Sequence, residues 1–123
     1  MPVRCLIVDD SRDFLDAARD LLERDGILVV GGVPTGAQAC RLCREQRPDV
    51  ALIDIDLGEE TGFQVAHQLA DQAGPRRPCM ILTSAYSDDD FADMLADNPA
   101  LSFLPKAGLS GAAIRGILAR AGG

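Results

Sequence analysis

The chain of 123 residues carries 19 acids against 12 lysines and arginines, a net charge of −7, and its length supports one hydrophobic core but not two. The acidic surplus argues against nonspecific attachment to nucleic acid or to an anionic membrane surface. At 47% hydrophobic and 25% charged residues, the composition is that of a globular domain and not of a disordered chain.

The first apolar run, Val3 to Val8, is broken only by Arg4 and stops at Asp9-Asp10. It is too short for a signal-peptide core or a membrane span, and no later run is long enough to span a bilayer. The expected location is therefore cytoplasmic, where thiols stay reduced. Ser11 to Arg24 repeats apolar residues at helical spacing, with Phe14, Ala18, Leu21 and Leu22 on one face. Gly26 supplies a stop. Ile27 to Val30 is a second strand, ended or bent by Gly31-Gly32. Thr35-Gly36-Ala37-Gln38 has the spacing of a capping box and opens a helix to Arg47, before Pro48. Cys40 and Cys43 form a C-x-x-C in that helix. A zinc site would need two more ligands, and the sole histidine is His67. A redox pair would stand at a helix start just after a strand, whereas this one falls in the second turn. Cys5 and Cys79 lie in apolar runs, so all four cysteines are expected to be structural.

Val50 to Ile53 is the third strand and ends at Asp54. A loop over Asp56-Leu57-Gly58-Glu59-Glu60 leads to Thr61, the cap of a helix carrying Phe63, Ala66, Leu69 and Ala70. Gly74-Pro75 and Pro78 punctuate the next connection. Cys79 to Leu82 is the fourth strand, ending in Thr83-Ser84. Ser87 followed by Asp88-Asp89-Asp90 reads as a helix start with acids favourable to its dipole, and that helix is expected to reach Asp97. Leu101 to Leu104 is the last strand, followed by Pro105-Lys106. Ser110 caps a final helix with Ile114, Ile117 and Leu118 inward.

Five β units alternate with five α units in a single domain over residues 1–123, with no linker or repeat. Short apolar strands between helices imply an α/β fold, a doubly wound parallel sheet buried on both faces. Such sheets bind ligands beyond the carboxyl ends of their strands. Asp9 and Asp10 follow the first strand, Asp54 the third, Thr83-Ser84 the fourth and Lys106 the fifth, so three carboxylates, two hydroxyls and an ammonium converge on one rim. Alone, an aspartate after a strand is usually a turn or cap residue, and a lone lysine is surface charge. Their joint placement at four strand ends favours a site. Clustered carboxylates stay ionised only with positive partners. Mg²⁺ suits carboxylates together with water and phosphate oxygens. With a metal, a lysine and a hydroxyl, one aspartate is placed to act as nucleophile in phosphoryl transfer.

These residues resemble the receiver domain of two-component response regulators over nearly the full length. The matching pieces are Asp9-Asp10, Pro48 to Asp54 with Gly62 further on, Ile81-Leu82-Thr83-Ser84 and Phe103-Leu104-Pro105-Lys106. The resemblance implies the flavodoxin-like form of the fold, with strand order 2-1-3-4-5 and five flanking helices. It implies Asp54 as phosphoacceptor, with Mg²⁺ held by Asp10 and Asp54, by the backbone carbonyl of Asp56, and by Asp9 through water. Lys106 would contact the phosphoryl group, Thr83 would switch its hydroxyl, and Phe103 would be the switch aromatic. The implied partners are a histidine kinase or histidine phosphotransfer protein as donor, and a second copy in a homodimer. The protein would be a switch that assists its own phosphorylation and dephosphorylation, not a turnover enzyme. Two positions depart from the pattern: Gly58 stands where the family often has proline, and Ala107 follows the lysine where proline is common. Pro105 to Ser110 resembles receivers that precede a DNA-binding helix-turn-helix. The chain ends at Gly123, so the expectation is a receiver domain alone, with its output in another domain or chain and no direct nucleic-acid binding.

Three other readings compete. Asp54-Ile55-Asp56 resembles the D-x-D of haloacid-dehalogenase-like phosphatases, but that motif follows the first strand of a larger domain. Gly31 to Gly36 lacks the Lys-Ser/Thr of a phosphate loop. A degenerate, docking-only receiver is opposed by the intact Asp10, Asp54, Thr83 and Lys106.

Overall fold

Period-two alternation of apolar side chains gives each central strand two faces to bury. In the computed structural model, which describes residues 2–85, Asp93 and residues 102–122, both faces are covered. On one side Leu6, Val8, Ala51, Ile53, Met80 and Leu82 form one core. On the other, Cys5, Ile7, Val50, Leu52 and Ile81 form a second. These residues come from β1 (Arg4–Val8), β3 (Val50–Asp54) and β4 (Cys79–Ser84). With β2 (Leu28–Val33) and β5 (Ser102–Pro105) they make a five-stranded parallel sheet of order 2-1-3-4-5, as expected for the doubly wound α/β fold.

The helices divide between the two faces. α1 (Arg12–Arg24) and the last helix, α4 (Gly111–Gly122), cover the second core with Ala18, Leu22, Ile114 and Ile117. α2 (Gly36–Gln46) and α3 (Gly62–Ala73) cover the first with Ala39, Cys40, Cys43, Phe63, Val65, Ala66 and Leu69. All four cysteines are free, and Cys40 and Cys43 are core residues. The helix expected from Ser87 to Asp97 lies, Asp93 apart, outside the described residues. Among the described residues no helix is long and apolar enough to cross a membrane.

Local chemistry sets the helix starts. Ser11, Thr35 and Thr61 each accept a hydrogen bond from the backbone N–H three residues on, and Ser110 Oγ accepts from Ala113 N at 3.0 Å. The full capping box forms at Thr61, where Gln64 Oε1 accepts from Thr61 N at 2.8 Å. At Thr35 only half of it forms, because the hydroxyl instead donates to Gln38 Oε1. β2 does not end at Gly31-Gly32. The register against β1 skips Val30, pairing Cys5 with Val29 and Leu6 with Gly31. This bulge bends the strand and lets it continue to Val33.

Leu52 is fully buried at the centre of the sheet, while Leu28 is 43% exposed. Leu52→Ala is expected to cost about 2–5 kcal/mol of unfolding free energy, and Leu28→Ala to stay within about 0.5 kcal/mol. Urea unfolding followed by circular dichroism checks both.

Candidate functional site

Strand register lines up the polar residues. Val8 pairs with Ile53, so the next residues, Asp9 and Asp54, stand side by side. Asp54 pairs with Thr83, and Thr83 with Leu104. Asp9, Asp54, Thr83 and Lys106 share the parity of Ile7, Leu52, Ile81 and Leu104, all members of the core under α1 and α4. The row therefore lies on that face at the carboxyl ends of the strands. Carboxylate oxygens of Asp9, Asp10 and Asp54 lie within 4.8 Å of one another. Lys106 Nζ is 2.8 Å from Asp9 Oδ2 and 3.3 Å from Asp54 Oδ2. Asp9 and Thr83 are essentially inaccessible, Asp54 is buried and Asp10 is exposed.

The structure thus brings together Asp9, Asp10, Asp54, Thr83 and Lys106. Asp56 stands at the rim, exposed, with its N–H on Asp54 Oδ1 at 3.2 Å. Phe103 is apart from them: it is partly buried against the opposite core, under α2 and α3. Lys106 opens a short 3₁₀ turn, Lys106–Gly108, directly after Pro105 in extended conformation.

The electrostatics of the cluster are unbalanced. Three carboxylates face one ammonium, leaving two negative charges uncompensated. Burial is the largest influence on Asp54 and raises its pKa above the usual carboxylate value. The Asp56 N–H and Lys106 pull the other way, and the Asp9 charge adds to the rise. Burial disfavours the Lys106 ammonium, but its close contact with Asp9 and the charges of Asp54 and Asp9 outweigh that and hold its pKa above the usual lysine value. Asp9 Oδ1 accepts from Ser11 N at 2.8 Å. Its Oδ2 is buried, with Lys106 Nζ at 2.8 Å as its ion-pair partner. Three carboxylates within 4.8 Å of one another and one ammonium make an all-oxygen donor set with surplus negative charge, which fits a hard divalent cation such as Mg²⁺.

The loop after Asp54 is shaped by two glycines. A Cβ at Gly62 would lie 2.5 Å from the Asp54 carbonyl oxygen, so only glycine lets α3 begin against the strand end. Gly62 N donates to Ile55 O at 2.7 Å. Gly58 has φ +83°, a value the ring of the family's usual proline excludes.

Two further residues take part that sequence reasoning placed elsewhere. Phe14, read as a core residue of α1, lies with its ring centroid 4.3 Å from Lys106 Nζ, a cation–π contact that attracts the ammonium to the ring face. Its place one helical turn beyond Asp9-Asp10 is the available signal. Glu60, read only as a loop acid, accepts a hydrogen bond from Gly36 N at 2.7 Å. Nothing in the sequence pairs these two.

The sequence profile of the response regulator receiver domain matches residues 5–113. The chain is 34% identical over 87 residues to the polar-differentiation response regulator DivK of Brucella anthropi, covering 71% of this chain and 70% of that protein. It is 35% identical over 110 residues to a protein-glutamate methylesterase/protein-glutamine glutaminase of Alkalilimnicola ehrlichii, covering 86% of this chain and 27% of that protein. The chain spans between 27% and 32% of the length of three of its curated relatives. The crystal structure of a LuxR-family two-component response regulator from Aurantimonas sp. SI85-9A1 superposes with a TM-score of 0.83 at 26% identity, covering 98% of this chain and 87% of that one.

Because burial raises the Asp54 pKa, the folded domain binds more protons than the unfolded chain between the unfolded and folded pKa values of that group. Stability then falls as pH rises through this window. In metal-free buffer Asp54→Asn is expected to raise the urea midpoint at pH 7 and to flatten that part of the pH profile. Urea titrations of both proteins from pH 4 to pH 7 check this; a lower midpoint for the variant at pH 7 contradicts the assigned cost of the buried charge.

Proposed function

The chain belongs to the response regulator receiver domain family, and from that premise we propose that it is a phosphorylation-controlled switch whose phosphoacceptor is Asp54. The observation that carries the reading is the row of Asp9, Asp54 and Thr83 in adjacent register, with Lys106 within 3.3 Å of both carboxylates. The donor is a phosphohistidine on a histidine kinase or histidine phosphotransfer protein. The output lies in another domain or a partner, including a second copy. Free cysteines accord with a cytoplasmic location.

An oxygen of ionised Asp54 attacks the phosphorus of the donor. The new P–O bond forms as the P–N bond breaks, and its electron pair leaves with the imidazole. Asp10 and Asp54 would hold Mg²⁺ with the Asp56 carbonyl, and Asp9 would hold it through water; when bound, the ion neutralises phosphate charge and so favours the transfer. Lys106 is placed to neutralise phosphoryl oxygens on the Asp54 side, held there by Asp9 and by the face of Phe14. Thr83, beside Asp54 in register, offers its hydroxyl to a phosphoryl oxygen. Its reorientation then signals through the sheet toward Phe103, which is one strand away. Lys106 keeps its charge at neutral pH, since its pKa is raised.

The phosphatase alternative needs Asp56 as acid or base toward Asp54. Its Oδ1 instead accepts from Gly58 N at 3.1 Å, closing its own turn, and the motif follows the third strand, not the first.

With Mg²⁺ and acetyl phosphate, intact-mass spectrometry is expected to show one added phosphoryl group, absent in Asp54→Asn and absent with excess EDTA. Asp56→Ala should retain the adduct. An adduct that survives Asp54→Asn overturns the assignment.

A further inference from the structure

The loop from Asp56 to Thr61 is closed by its own hydrogen bonds, with Leu57 buried in the core under α2 and α3. Leu57 N donates to Glu60 O at 3.1 Å, Gly58 N donates to Asp56 Oδ1 at 3.1 Å, and Asp56 faces Thr61 across an antiparallel bridge. Thr61 joins the end of the loop to α3 through its capping box, and Glu60 joins the loop to α2. Glu60 Oε1 accepts from Gly36 N at 2.7 Å, across 24 positions of sequence.

Gly36 is the first residue of α2. Its N–H is one of the donors a helix leaves without an internal partner. Glu60 also brings a negative charge to the positive end of that helix. The seat is tight: a Cβ at position 36 would lie 2.5 Å from Glu60 Oε1 and 2.8 Å from Gln68 Oε1. The first turn of α2 therefore has two anchors of different origin. Thr35 Oγ1 accepts from Gln38 N at 3.3 Å and is local. Glu60 comes from the loop that follows the phosphoacceptor strand.

We propose that Glu60 is a positioning residue for the cation site, clamping the Asp56–Thr61 loop to α2 so that the Asp56 backbone stays where it completes the cation's ligand set. The inference rests on the function proposed above. It follows from what this loop lacks. Glycine at position 58 gives the chain more freedom than the family's proline would, and the Glu60 bond supplies a constraint from outside the loop. Coupling of this kind is reciprocal. A cation that orders the loop must also tighten the Glu60–Gly36 bond, so the start of α2 responds to the cation without touching it.

The test uses Mg²⁺ alone, without phosphodonor, on the full chain. Calorimetry gives the dissociation constant, and hydrogen exchange by NMR reads the Gly36 amide. Glu60→Ala is expected to weaken Mg²⁺ binding about tenfold, the lower end of what losing a support of a metal ligand does, with Thr35→Ala within about twofold of the native chain. Glu60→Gln, which keeps an acceptor and loses the charge, should fall between them and serves if the alanine variant folds poorly. Mg²⁺ should slow exchange at Gly36 in the native chain and not in Glu60→Ala. Equal Mg²⁺ affinity in native and Glu60→Ala proteins overturns the clamp, as does a loss in Thr35→Ala as large as in Glu60→Ala, which would mark a general weakening of α2. Failure of the native chain to bind Mg²⁺ would instead sink the proposed cation site, and the clamp with it.

Discussion

Three carboxylates meet one ammonium at the carboxyl ends of the central strands, and among the described residues no other side-chain cation lies within ion-pair distance of them. Much of the local architecture answers this imbalance. Asp9 takes the Ser11 N–H, Asp54 takes the Asp56 N–H, and Lys106 lies against both carboxylates with the face of Phe14 beside it. Each of these is a donor, a cation or a negative ring face set where it stabilises charge. None removes the surplus, because backbone donors carry only partial charges. A buried carboxylate without a full partner destabilises the fold, and the two cores that sandwich the sheet offset that cost. The protein keeps a strained pole because the rest of the domain is well packed.

That pole exists only because of register. In a parallel sheet a slip of one residue moves every side chain to the opposite face. Val8 against Ile53 and Asp54 against Thr83 place two acids and a hydroxyl in one row. The strand order matters equally. β1 and β3 are neighbours, with β2 wound to the outside, so the chain reverses direction of winding between them. The chain leaves β1 for α1 on one face and β3 for α3 on the other. Gly62 then sets how closely α3 approaches the end of β3, and Glu60 links the loop before it to the start of α2.

Much of this was legible in the sequence, for reasons that also explain what was not. Apolar runs that end in charged residues mark strands and their ends, so Asp9, Asp10, Asp54, Thr83 and Lys106 could be assigned to one rim before any coordinates. Helical spacing put Phe14 on the buried face of α1, but spacing does not say what stands opposite, and the partner proved to be Lys106 from a residue far along the chain. Glu60 was unreadable for the same reason, since its bond to Gly36 N is purely tertiary. The capping-box spacing is present at Thr35, where it forms by half, and at Thr61, where it forms in full. The side chains have the same spacing in both places, and the surroundings choose between them. Gly31-Gly32 reads as an end or a bend; the bulge falls on Val30 just before the pair, and both glycines stay in register with Leu6 and Ile7.

On the phosphoacceptor reading, the imbalance also gives the response its direction. Lys106 sits nearer to Asp9 than to Asp54, at 2.8 Å against 3.3 Å. Phosphorylation replaces one negative charge on the Asp54 side by about two, while Asp9 is unchanged, so the ammonium is drawn toward Asp54. Lys106 is joined directly to Pro105, the last residue of β5. β5 is one of the two edge strands of the sheet. Among the described residues it pairs only with β4, and none of its four residues is fully buried. β1 and β3, by contrast, have neighbours on both sides and cores on both faces. On that reading a force applied at the acidic pole runs through Lys106 to the β5 edge, where Phe103 lies.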